Sequence, residues 1–93
     1  MLEMYDAAQL PTLGQAAVMS EVRRMAAMPT YCVPGGYALR LITVAVDNAA
    51  TDAEAAELHR ELRGWLPQVL TGPQRALVCD HAHANPVCRS LTF

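Results

Sequence analysis

Six prolines, at positions 11, 29, 34, 67, 73 and 86, divide this chain into short pieces. Each removes a backbone donor and steers the residue before it away from helix. Gly35-Gly36 and Gly72 sharpen two of these breaks. Only short elements fit between such marks, and 93 residues hold one domain of them. A single domain over residues 1–93 is expected, with residues 1–11 a mobile or partner-binding N-terminal arm. At 53% apolar and a net charge of −2, the chain has the composition of a folded globule.

Between Pro11 and Pro29, Thr12 can cap a helix running to Ala27. Leu13, Ala17, Val18, Val22, Met25 and Ala26 recur at helical spacing on one stripe, with Gln15, Glu21, Arg23 and Arg24 outside it. Residues 30–33 and 37–47 then read as strands joined at Pro34-Gly35-Gly36, a hairpin-like connection. The run Leu39-Arg40-Leu41-Ile42-Thr43-Val44-Ala45-Val46 is apolar on both faces except at Arg40 and Thr43, a pattern suited to a strand covered on both sides.

Thr51-Asp52-Ala53-Glu54 is a capping box, in which threonine oxygen and glutamate carboxylate each satisfy an orphan amide. A helix therefore starts there, with Ala55, Leu58, Leu62, Trp65, Leu66 and Val69 on one face, and Pro67 ends or kinks it near Leu66. Residues 75–83 alternate as a strand would. They also follow Thr71-Gly72-Pro73-Gln74, which can start a helix. The strand reading is preferred, and a last strand over 87–93 follows the Asn85-Pro86 turn. The expected fold is α+β: two helices packed on a small mixed sheet of three to four strands, in the order α-β-β-α-β-β.

Several chemistries are excluded by residue type. Lysine is absent, which removes a Schiff-base lysine, a pyridoxal-phosphate site and a Walker-A loop. Serine occurs only at Ser20 and Ser90, neither in a nucleophile elbow. The seven arginines are scattered apart from Arg23-Arg24, so no basic surface points to nucleic acid. Leu41 to Val46 is far shorter than the ~20 apolar residues of a membrane span, so no membrane partner is expected. Acidic residues near the start replace the basic segment of a secretory signal. Three cysteines cannot all pair within the chain, which favours a reducing, cytoplasmic setting.

Cys79, His81, His83 and Cys88 are gathered within ten residues. On a strand the first three share a side, and Cys88 could complete a Cys2His2 zinc set, although the spacing is that of no known zinc motif. Zinc is the one cofactor these residues could hold, and otherwise none is expected. A thiol enzyme could pair Cys79 or Cys88 with His81 or His83, but Asp80 cannot orient a neighbouring His81 from the opposite strand face. His59 reads as a surface histidine and Cys32 as a packed thiol.

All five methionines lie at or before Met28. Methionine favours adaptable contact surfaces. Met4, Tyr5, Leu10, Met19 and Met25 are accordingly candidate interface residues. The leading expectation is a small non-catalytic interaction protein, such as a regulator, inhibitor, immunity protein or antitoxin, whose partner is another protein or a second copy in a homodimer. A zinc-binding module and a small thiol- or metal-dependent enzyme are the alternatives.

Overall fold

In the computed structural model, which describes residues 8–93, the chain forms five α-helices: α1 (Gln15–Ala26), α2 (Gly35–Asn48), α3 (Asp52–Leu62), α4 (Leu66–Val69) and α5 (Gly72–Ala84). Leu10–Thr12 and Thr30–Cys32 are single 3-10 turns, and there is no strand among the described residues. The α+β expectation is overturned at every proposed strand. Residues 30–33 hold a 3-10 turn, 37–47 lie in α2, 75–83 lie in α5, and 87–93 are turn and irregular chain.

The physical reason is clearest in α2. Leu41, Ile42, Thr43, Val44, Ala45 and Val46 are all buried. Helices α1, α3 and α5 each pack against α2. Gly36, Arg40 and Asp47 leave α2 only a narrow exposed side, and the six consecutive buried residues between Arg40 and Asp47 hide the helical period, so that run reads like a central strand. The β-branched residues Ile42, Thr43, Val44 and Val46 add to that resemblance, but helix propensity is a weak prior that burial overrides. At 14 residues the helix is about 21 Å long.

Helix α3 starts at its capping box: Thr51 Oγ1 accepts from the Glu54 amide at 3.1 Å, and Glu54 Oε1 accepts from the Thr51 amide at 3.1 Å. It ends at Leu62, before Gly64 and well before Pro67, which instead lies in the first turn of α4. In α5 a second capping box, Thr71 with Gln74, starts the helix, with Pro73 tolerated in its first turn. Helix α1 starts after Gly14, two residues later than a Thr12 cap would place it. Thr12 sits in the preceding 3-10 turn and donates to the Gln9 carbonyl at 2.6 Å.

Hydrogen bonds give the helix directions. Tyr37, early in α2, bonds Glu21 in the second half of α1, while Asn48 at the end of α2 donates to the Leu13 carbonyl. These two helices are antiparallel. Arg23 of α1 pairs with Glu57 and Glu61 of α3, and Gln15 and Ala16 lie by Glu54, so α1 and α3 are parallel. A Cβ on Gly35 would lie 4.0 Å from the Gln74 side chain, and at the far end Asn85 reaches Val46 and Ala49. Thus α2 and α5 run parallel and finish together.

Beyond α5, Cys88 is fully buried, with Leu91 and Phe93 packed against the core. His59 of α3 contacts the Thr92 carbonyl through Nε2 at 2.9 Å and meets the Phe93 ring edge-on. Cys79 of α5 donates to the Phe93 main-chain oxygen at 3.4 Å. The tail therefore bridges α3 and α5, and His59, expected as a bland surface residue, holds it there.

Candidate functional site

The proposed zinc set depended on a strand that does not exist. On helix α5, Cys79 and His83 lie one turn apart while His81 points to a different side. Cys79 is exposed and bonded to Phe93, His83 is exposed, and Cys88 is buried with its thiol toward the Val46 carbonyl at 3.9 Å. No three His, Cys, Asp or Glu side chains gather as a metal set among the described residues. Burial pushes the Cys88 thiol upward in pKa, and the nearby Asp47 charge adds to that, so this sulfur is kept protonated.

The proposed interface residues divide. Met4 and Tyr5 lie outside the described residues. Leu10, Met19 and Met25 are buried in the core of the single chain, where they fill space between helices instead of facing a partner. Cys32, expected as a packed thiol, is exposed.

Three clusters remain. The first joins α1 to α2. Glu21 is only 4% exposed, although the α1 pattern placed it outside the buried stripe. Its Oε1 and Oε2 accept from Arg24 Nε and Nη2 at 2.7 and 2.8 Å, and Oε2 also accepts from the Tyr37 hydroxyl at 2.5 Å. Burial alone would raise its carboxyl pKa. The bonds from Arg24 and Tyr37 and the Arg24 charge outweigh that, and the net shift is downward. A charge held this way is a structural clamp.

The second is a cavity of about 310 Å³ between α1 and α3, lined by Gln15, Ala16, Met19, Arg23, Glu54 and Glu57. Its charged groups are already engaged: Arg23 with Glu57 and Glu61, Glu54 in its capping box. The Gln15 carboxamide is closed off from solvent and has no hydrogen-bond partner. The hydrogen-bonding capacity left unused in this lining is therefore that of Gln15.

The third lies where α2 and α5 end. Asp47 Oδ1 accepts from His81 Nδ1 at 2.9 Å. An ionised carboxylate can only accept, so His81 Nδ1 carries the hydrogen of this bond. A cavity of about 320 Å³ opens beside the pair, lined by Asp47, Ala49, His81, Ala84, Asn85 and Pro86. Asn85 donates to the Val46 and Ala49 carbonyls at 2.8 and 2.9 Å, which closes the end of α2 and fixes one wall. Sequence reasoning looked for an orienting acid at Asp80. The acid that does orient His81 is 34 residues away, and no local spacing could reveal it.

Among the described residues, two large apolar side chains stand exposed: Tyr31 at 89% and Leu77 at 49%. The 3-10 turn that carries Tyr31 and the helix that carries Leu77 both pack against α4. On α5, Pro73, Ala76, Leu77, Asp80 and Ala84 share the outward side, opposite the buried Val78 and Ala82.

The described residues thus define a small all-α domain, built around one enclosed helix. No protein-family model, no curated protein and no solved structure matches this chain. None of its described helices is long and apolar enough to cross a membrane.

Proposed function

We propose that this chain is a small non-catalytic interaction protein that acts by occupying the surface of a partner protein, as a regulator, inhibitor, immunity protein or antitoxin does. The observation that carries this reading is the exposure of Tyr31 and Leu77 on elements that share α4 as a neighbour. Tyrosine at such exposure is a typical anchor of protein interfaces, offering a large apolar ring with a polar tip. Around Leu77 the outward side of α5 adds small apolar residues, against which a helix can approach closely.

Asp80 sits in the middle of that side. Symmetric pairing of two copies through it would bring like charges together. Charge complementarity therefore favours a partner of different sequence, with an apolar surface that carries an arginine or lysine opposite Asp80. The free thiols of Cys32, Cys79 and Cys88 suit a reducing, cytoplasmic compartment.

The test places a photo-crosslinking amino acid at position 31 or 77, with position 60 on α3 as control, and identifies the captured protein by mass spectrometry. Binding of that purified protein is then measured by calorimetry. A Tyr31→Ala/Leu77→Ser double variant with unchanged circular dichroism should bind at least about tenfold more weakly. Unchanged affinity, or equal crosslinking from position 60, refutes the proposal.

A further inference from the structure

We infer that the cavity where α2 and α5 end is a binding site for a protonated primary amine on a short aliphatic stem. Parallel α2 and α5 bring two helix C-termini to this cavity. Each such end carries a partial negative charge of about half an elementary unit. Asp47 adds a full negative charge on the same wall. The chain already shows what this end attracts: Arg89, outside the lining, donates from Nε to the His83 carbonyl at 3.1 Å.

The acceptors inside have the right chemistry. Asp47 Oδ1 is engaged by His81, which leaves Oδ2 for a donor, and the ring in its neutral, Nδ1-protonated form would offer Nε2 as a second acceptor. An ammonium offers hydrogens in several directions and can satisfy both. Ala49, Ala84 and Pro86 supply an apolar wall for the stem. A metal ion fits less well, because one carboxylate and one imidazole do not make a ligand set and no third such residue joins them among the described residues. The site is a depression of about 320 Å³ largely open to solvent, which suits a small ligand that stays partly hydrated.

The chain has no lysine, so no side chain of its own, nor of a second copy, can supply this ammonium. The occupant comes from another molecule, as a free small amine or as a lysine side chain. Ala84 borders both this cavity and the outward side of α5, but Tyr31 precedes the start of α2, at the opposite end of that helix, so the inference does not rest on the docking surface.

The experiment is a nitrogen-15 NMR titration of the full chain at neutral pH, where alkylamines are protonated. The probes are n-butylamine and Nα-acetyl-lysine amide, with tetramethylammonium and n-butanol as controls. Saturable shifts are expected at residues 47–49 and 81–86, with Kd on the order of 1 mM for so small a ligand. Asp47→Asn should weaken binding about tenfold by removing the charged acceptor. Ala84→Leu should block the cavity without touching a polar group, and His83→Gln should leave binding unchanged. Saturation by n-butylamine alone assigns the site to free amines, and saturation by both extends it to lysine side chains. Absence of saturable shifts, equal shifts from tetramethylammonium, or full binding by both Asp47→Asn and Ala84→Leu overturns the inference.

Discussion

Glu21 is the residue whose environment differs most from its place in the sequence pattern. Buried at 4% exposure and bonded to Arg24 and Tyr37, it ties α1 to the start of α2. Replacing it by Gln keeps the shape but removes the charge, and places amide hydrogens against the Arg24 donors. Glu21→Gln should cost about 1–3 kcal/mol at pH 7, read from urea unfolding midpoints. Because the folded pKa is depressed, the charge contributes stability above the ordinary glutamate range, and that contribution is lost as pH falls through the folded value. The gap between wild type and Glu21→Gln should therefore narrow steadily in acid, and a gap that stayed constant down to pH ~3 would refute the clamp. The i+3 spacing to Arg24 was visible in the sequence, but the partner that makes Glu21 a buried group, Tyr37, was not.

At the scale of elements, the two capping boxes were legible as local signals, but the start of α1, the start of α2 and the type of the α2 and α5 interiors were not. Both capping boxes are formed. Thr51→Ala and Thr71→Ala should each lower stability by about 1 kcal/mol, with a calorimetric melting shift of a few degrees. Thr→Ser at either site should retain most of it. The residues of α2 misled because periodicity distinguishes a half-buried helix from a half-buried strand, and α2 is neither. Those of α5 misled because its apolar residues are spread round the helix: Leu77 is outward while Val78 and Ala82 are inward. The Thr71–Gln74 signal pointed to helix and was outweighed by alternation over 77–83 that the helix does not use.

For the whole molecule, Asn85 is the residue that sets how two elements end together. Its amide holds the Val46 and Ala49 carbonyls, and its Oδ1 accepts from the Val87 amide, turning the chain toward the buried Cys88. Asn85→Ala would leave the Ala49 carbonyl without its donor and remove one of the donors to the Val46 carbonyl, which keeps the Ala49 amide, and should cost about 1–3 kcal/mol. It should also speed hydrogen exchange at residues 85–88 more than in α1, and uniform acceleration across the chain would refute the local clasp. The same variant should weaken amine binding, since one wall of that cavity is the Asn85 side chain.

The sequence by itself determined the start of α3, the excluded lysine, serine-nucleophile and phosphate-loop chemistries, and the absence of any long apolar span, while it offered the Thr71–Gln74 start of α5 only as the less favoured alternative to a strand. These depend on residue types, or on bonds between groups three residues apart. Only the tertiary structure decided that residues 35–48 are helix, that Glu21 is buried, that His81 answers to Asp47, and that Leu10, Met19 and Met25 face inward. Each depends on what packs against a residue from tens of positions away, and the hydrophobic effect that sets it has no direction along the chain.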